Sequence, residues 1–287
     1  MMSKIEFVKN LAGHSGCGLK LYRKESILFL RKDSGTSGYN RRLKKQCIKQ
    51  QRFQLEGIKT PEVLSYGLKN GLFYFDMEFL NGVTLAEYMN SIKIKEINHL
   101  IGLLFKALPI SSSKLNPKAD RIFHNKIAEL RQKITGTNNL AMAALQKLEN
   151  FNFSNVPASY CCGDLTLENI ILSDDKQVYL IDFLDSFYNS WMIDVAKLLQ
   201  DLELRWSYRH GKIDFNLNMR LAVAREALIE NISEFPDGRE MLRSIYHILL
   251  LNVLRIYPYA KDTVTVDFLQ NAVSKVLQTI ADLENNQ

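Results

Sequence analysis

Cys162-Gly163-Asp164-Leu165-Thr166-Leu167-Glu168-Asn169 and then Ile181-Asp182-Phe183-Leu184-Asp185 are the stretch on which the reading of this chain turns. Between the two pieces, Ile170-Ile171-Leu172 and Val178-Tyr179-Leu180-Ile181 flank the polar turn Ser173-Asp174-Asp175-Lys176, the pattern of a short hairpin. A tight loop followed by a hairpin brings its ends together, so Asp164, Asn169 and Asp182 are expected to converge. A carboxylate, an amide and a second carboxylate suit phosphoryl transfer, which needs a carboxylate near the attacking hydroxyl and oxygen ligands for Mg2+. An Asp and an Asn at this spacing alone is a common pairing that also caps helices. The Ile-Asp-Phe after the hairpin, and a glycine turn and strand lysine upstream, give it weight.

Upstream, Gly13-His14-Ser15-Gly16-Cys17-Gly18 is followed by the alternating strand Leu19-Lys20-Leu21-Tyr22-Arg23 and by a second strand, Ser26 to Lys32. Glycines let backbone N–H groups approach an anion without a Cβ in the way, so this turn can fold over phosphates; it can equally be an ordinary hairpin turn. Strand alternation points Arg31 and Lys32 to opposite faces. Asn40 to Leu55 has helical composition, with Gly57 placed as a C-terminal cap. Lys69-Asn70-Gly71 between the apolar runs Val63–Tyr66 and Leu72–Phe79 predicts a hairpin. Beyond Asn81-Gly82 the texture becomes amphipathic: helices are predicted over Thr84–Asn90, Lys93–Leu108, Ala119–Ile134 and Asn138–Leu148, and again from Asp194 onward.

The combination resembles the aminoglycoside phosphotransferase and choline kinase family, relatives of the protein kinases whose loop reads His-Gly-Asp, four residues, Asn, then Ile-Asp-Phe. The resemblance runs over nearly the whole chain. It implies an α+β, two-lobed protein-kinase-like fold: a small antiparallel-sheet lobe with one helix over residues 1–80, which binds nucleotide, and a larger mainly helical lobe over 81–287 with the catalytic loop and acceptor site. It further implies that Asp164 orients and deprotonates the acceptor hydroxyl, while Asn169 and Asp182 hold Mg2+ against the phosphates of ATP or GTP. Lys32 resembles the lysine on the α and β phosphates, and Ser15, Gly16 and Gly18 the loop above them. Met77, Glu78 and Phe79 resemble the hinge that pairs an adenine ring with backbone groups.

This sequence departs from that pattern at three points. The helix Asn40 to Leu55 carries Gln46 and Gln50 where a lysine-tethering glutamate is expected; Gln46 lies closest, and an amide there would hydrogen-bond Lys32 without neutralising it. Cys162 stands where the family has the loop histidine, and cysteine is a weak donor. Leu184 replaces the glycine that protein kinases place after Asp-Phe. On the acceptor side, Asp185, Trp206 and Arg209 are the candidate substrate residues. Trp206 and Tyr208 read either as an aromatic wall for a choline-like cation or as core, and Asp185 and Arg209 as partners for a sugar or an acidic metabolite. Asp194 reads as a helix N-cap, and His99, His124 and His247 as structural.

The expected activity is therefore ATP-dependent phosphorylation of a small hydroxylated metabolite: a sugar, an amino alcohol or a choline-like molecule. The Gly-Asp-Leu-Thr-x-x-Asn-Ile style is similar to that of bacterial members that accompany cell-surface polysaccharide pathways. A catalytically silent nucleotide-binding protein is the alternative; a protein kinase is disfavoured, since there is no Ala-Pro-Glu segment and no long activation loop between Asp185 and Asp194.

Composition agrees with an ordinary globular protein, 46% hydrophobic and 24% charged over 287 residues. The start lacks a signal peptide's apolar stretch and Ile248–Leu254 is too short for a membrane span, so a cytoplasmic protein is expected. Cys161 and Cys162 are adjacent, and Cys17 and Cys47 fit no metal-ligand spacing, which argues against disulfides and zinc. The net charge of +6 is concentrated between Lys20 and Arg52, but aromatics are not interleaved there, so nucleic acid is not an expected partner. Nucleotide and small acceptor are the expected partners; oligomeric state is not legible.

Overall fold

The computed structural model of the chain describes residues 5–11, 17–134 and 139–285. Two compact units are present, residues 1–84 with 169–185 and residues 85–168 with 186–287, so the hairpin over 170–180 belongs to the same unit as the N-terminal sheet.

The first unit is built on a five-stranded antiparallel sheet of β1 (Ile5–Leu11), β2 (Cys17–Lys24), β3 (Ile27–Ser34), β5 (Val63–Lys69) and β6 (Leu72–Glu78), ordered β1-β2-β3-β6-β5. One helix, α1 (Asn40–Arg52), covers it, burying Leu43 and Cys47 against Phe73, Phe75 and Met77. The turn between β5 and β6 has positive φ at both Asn70 and Gly71, the two-residue geometry that Asn-Gly favours. Helix α1 ends at Arg52, short of the expected Leu55. Phe53 turns extended, with ψ 118°, and its ring packs edge-on against Phe183 with centroids 4.8 Å apart. Tertiary packing thus overrides the glycine signal, and Gly57 serves a turn further on, with φ 73°.

A second, four-stranded sheet in the same unit joins β4 (Ile58–Lys59), β7 (Gly82–Thr84), β8 (Ile170–Ser173) and β9 (Val178–Leu180), in the order β4-β9-β8-β7. Gly82 is required there: at φ 158°, a Cβ would lie 2.4 Å from the Leu172 carbonyl oxygen and 2.8 Å from the Cα of Ser173.

The second unit is helical: α2 (Leu85–Tyr88), α3 (Ile94–Ala107), α4 (Ala119–Lys133), α5 (Asn139–Glu149), α6 (Trp191–Leu202), α7 (Phe215–Ser233), α8 (Gly238–Leu254) and α9 (Thr263–Asn285). Every residue of α8 from Ser244 to Leu254 is buried, the mark of a helix that forms the middle of a core rather than its edge. α6 and α9 pack on it, and α3 packs on α7. Among the described residues no helix is long and apolar enough to cross a membrane.

Candidate active site

In the first unit the sheet delivers Lys32 to Asp182. Lys32 is paired across the sheet with Leu19 and Phe75 and is buried. Its Nζ lies 2.5 Å from Asp182 Oδ1, joining residues 150 apart in sequence. Arg31, the neighbour, turns to the other side as alternation demands. There it makes a bidentate pair with Asp76 at 2.6 and 2.8 Å and stacks over Tyr74 at 4.2 Å. The Asp76 hydrogen bonds raise the Arg31 pKa, fixing its charge in this structural role.

Asp182 itself sits at φ 55°, in the left-handed region that aspartate tolerates better than most residues. Just before it, Ile181 N–H donates to the Asn169 carbonyl at 3.0 Å, so the two proposed metal-binding positions spring from hydrogen-bonded neighbours. Helix α1 reaches the following residues: Lys49 Nζ donates to the Leu184 carbonyl at 2.8 Å, and Lys45 pairs with Asp185 at 3.2 Å.

Gln46 does not hydrogen-bond Lys32 as the sequence suggested. It is buried, its amide donates to the Tyr39 hydroxyl at 3.4 Å, and its Oε1 has no hydrogen-bond partner. The expected hinge is also partly engaged: Glu78 N–H already donates to the Glu62 carbonyl at 2.9 Å, while Met77 receives the Gln50 amide on its sulfur at 3.6 Å. Phe79 follows the end of β6 and is half-buried. In the glycine turn, Ser15 and Gly16 lie outside the described residues. Gly18 is described, and a Cβ there would meet the Asp33 carboxylate at 2.8 Å, a carboxylate held by Lys20 at 2.9 Å.

In the second unit one face of α6 grips the loop from Cys162 to Leu167. Asp194, Lys197 and Asp201 fall at positions i, i+3 and i+7, which share a helix face. Asp194 accepts the N–H groups of Cys162 at 2.7 Å and Gly163 at 2.6 Å. Asp201 accepts Leu167 N–H at 2.6 Å. Between these anchors, Asp164 meets Lys197 at 3.0 Å.

Asp194 is therefore not an N-cap. The helix begins earlier, at Trp191, with Ser190 Oγ accepting Met192 N–H at 3.3 Å, so Asp194 falls inside the first turn with its carboxylate directed at the loop. The main-chain grip of Asp194 supports the loop at the position where Cys162 replaces histidine.

Asp201 also accepts the N–H and hydroxyl of Ser207, both at 2.8 Å, and so ties the loop to the turn Trp206–Tyr208. Complete burial pushes the Asp201 carboxyl up to about 6. On that turn the Arg209 guanidinium lies 3.8 Å over the Trp206 ring and donates to the Trp206 carbonyl at 2.9 Å. Burial lowers the Arg209 pKa, and the nearby Glu168 and Asp201 oppose that shift. Tyr208 donates to the Ala86 carbonyl at 2.8 Å and is a packing residue, its hydroxyl pushed up by burial. Trp206 and Tyr208 thus do not form the open aromatic wall considered from sequence.

Sequence reasoning missed Lys197 and Asp201. Their signal was present: three charged residues at one-face spacing in a helix whose other residues, from Trp191 to Leu202, are all buried.

The family model for phosphotransferase enzymes matches residues 28–226. No curated protein matches the chain by sequence. Among solved structures, a thermostable mutant of the aminoglycoside phosphotransferase APH(4)-Ia, in ternary complex with AMP-PNP and hygromycin B, is similar with a TM-score of 0.67 at 14% identity, covering 99% of this chain and 96% of that one. A protein from Haemophilus somnus 129PT, provisionally assigned as a fructosamine-3-kinase, is similar with a TM-score of 0.58 at 14% identity, covering 96% and 92%. An aminoglycoside-3'-phosphotransferase of type VIII follows at 0.53 and 16%, covering 86% and 93%. These likenesses establish the kinase-like fold.

Proposed function

We propose, since this chain belongs to the phosphotransferase enzyme family, that it transfers the γ-phosphate of ATP or GTP to a hydroxyl of a small sugar or amino alcohol. The observation that carries this reading is the meeting of Lys32 and Asp182 at 2.5 Å, a phosphate-seeking cation and a metal-seeking carboxylate within one compact unit. Lys32 would bind the α and β phosphates, with the backbone about Gly18 beside them.

Asn169 and Asp182 would hold Mg2+. One carboxylate and one amide oxygen, rooted in hydrogen-bonded neighbours, make the sparse protein donor set that suits Mg2+ when phosphates and water supply the remaining ligands. When bound, that ion would neutralise charge on the β and γ phosphates. Asp164 would orient the acceptor hydroxyl and take its proton, an arrangement that works by positioning. Met77, Glu78 and Phe79 would line the adenine side, with Glu78 N–H engaged elsewhere.

The acceptor we favour carries amines as well as hydroxyls. The similar structures are named for aminoglycosides and fructosamine, and the Asp185 carboxylate, paired with the exposed Lys45, would exchange that partner for a ligand amine. A choline-like acceptor is less well supported, because Arg209 already covers a face of Trp206. We place the activity in the cytoplasm and, from the style of its loop, in bacterial cell-surface polysaccharide metabolism.

The test is nucleotide consumption, with and without Mg2+, over a panel of sugars, amino alcohols, aminoglycosides and choline, comparing the native chain with Asp164→Ala. Acceptor-dependent and Mg2+-dependent turnover that disappears in the variant is expected. Tight nucleotide binding with no turnover for any acceptor would instead mark a silent scaffold, and label transferred only to a protein would mark a protein kinase.

A further inference from the structure

Resting on the proposed role of Asp164, we infer that Lys197 is a positioning residue for phosphoryl transfer: its ammonium holds the Asp164 carboxylate while the loop backbone on either side is held by Asp194 and Asp201. The three contacts divide the labour. The two carboxylates of α6 fix main-chain N–H groups of Cys162, Gly163 and Leu167, which sets where the loop runs. Lys197 holds the Asp164 side chain itself, with Nζ 3.0 Å from Oδ1.

Its placement is costly unless the charge is used. Ile193, Val195, Ala196, Leu198 and Leu199 around it are buried, and the Lys197 side chain is itself only 14% exposed. A lysine this covered loses hydration that a leucine would not miss, and an ion partner must offset the loss. Asp164, at 23% side-chain exposure, is that partner.

The chemistry gives the pair its purpose. In the transfer step the acceptor O–H bond breaks and its proton passes to an Asp164 carboxylate oxygen. A bond forms from the acceptor oxygen to the γ-phosphorus, and the bond from that phosphorus to the nucleoside diphosphate breaks, its electron pair staying on the leaving oxygen. Asp164 goes from charged to neutral in the process, and its pair with Lys197 opposes rotation of the side chain as the charge changes. An ammonium on Oδ1 keeps the carboxyl plane fixed throughout. Such support matters more here because the loop carries Cys162, a weak donor, where the family has histidine.

The experiment measures nucleoside diphosphate release by the full chain with Mg2+ and ATP, using the acceptor panel and water as acceptor. Lys197→Met, which keeps the apolar stem, is compared with Lys197→Arg, with Lys197→Ala in the presence and absence of ethylammonium, and with Asp164→Ala. A misplaced reacting group costs on the order of 10²-fold. Lys197→Met is therefore expected to lose roughly that factor in kcat, with the nucleotide KM within about twofold of native. Lys197→Arg should recover most of the loss, and ethylammonium should raise Lys197→Ala but not Asp164→Ala.

A merely structural lysine predicts something else: a lowered melting temperature, kcat per folded molecule unchanged, and no response to the amine. That result overturns the inference while leaving the proposed function intact. If the native chain releases no diphosphate with any acceptor or water, the proposed function fails and this inference fails with it.

Discussion

Replacing Asp194 by alanine tests whether α6 sets the catalytic loop. The carboxylate is 2% exposed and accepts two main-chain N–H groups, from Cys162 at 2.7 Å and Gly163 at 2.6 Å. Hydrogen bonds to a charged acceptor contribute about 1.5–3 kcal/mol each, and the stranded N–H groups would remain buried. Relief of the carboxylate's own desolvation offsets part of this, which leaves a net loss of about 3–5 kcal/mol for Asp194→Ala. Asparagine keeps one acceptor but turns an NH2 toward the other N–H, so Asp194→Asn should cost roughly 2–3 kcal/mol. At about 2–4 °C per kcal/mol the alanine variant should melt roughly 6–20 °C below native, with asparagine between. Thermal unfolding followed by circular dichroism, with urea titrations to check that the m-value is unchanged, reads both numbers. An alanine variant within about 2 °C of native, or an asparagine variant less stable than alanine, would refute the reasoning.

Three further outcomes follow from other contacts. Burial lowers His247 to about 4 from 6.5 and raises Asp201 to about 6 from 3.8, so the two oppose each other on acidification. His247 contributes stability that is complete above the unfolded pKa and lost as pH falls from 6.5 toward 4, roughly 3 kcal/mol in all, whereas Asp201 binds its proton more tightly when folded and so favours the folded state as pH falls from 6 toward 4. Urea midpoints between pH 4 and 7 should therefore fall more steeply than native toward acid for Asp201→Asn and less steeply for His247→Gln; parallel curves for all three would count against both assignments. Gly82→Ala forces a Cβ to 2.4 Å from the Leu172 carbonyl and should part β7 from β8, at a cost of about 2–3 kcal/mol visible in the same urea titration. Lys49→Met, which removes the 2.8 Å bond to the Leu184 carbonyl, should raise the nucleotide KM about fivefold, whereas Lys45→Met, breaking an exposed pair, should stay within about twofold in the same steady-state assay.

Local chemistry was readable from the sequence where local chemistry decides the structure. Asn70-Gly71 demanded a tight turn, Ile170–Ile181 alternated as a hairpin, and the opposite placement of Arg31 and Lys32 followed from strand period alone. The errors lie where a distant partner won. Asp194 looked like a cap because the capping rule sees only neighbours, yet its partners are the N–H groups of Cys162 and Gly163, 32 and 31 residues away. Asp201 carried no local signal beyond its place on the same helix face. Helix α1 lost its last turn to the packing of Phe53 on Phe183, a contact that the glycine at position 57 could not announce. Gln46 was set against Lys32 by analogy of position, and the structure gives its amide to Tyr39 instead.

That last difference has a consequence for how nucleotide would enter. With Lys32 held by Asp182, the two residues proposed for phosphate and for metal satisfy each other, at a side-chain exposure of 9% for the lysine. A phosphate arriving alone must pull Lys32 away and leave Asp182 facing an anion. A divalent cation arriving alone must displace an ammonium and leave Lys32 buried without a counter-charge, which is the costly state for a covered lysine. Arriving together they replace both partners at once, phosphate for Asp182 and metal for Lys32, and neither charge is stranded. In this chain helix α1 sets Lys45 on Asp185 and Lys49 on the Leu184 carbonyl, so under the proposed function the coupling between metal and nucleotide would be carried by Lys32 and Asp182 themselves.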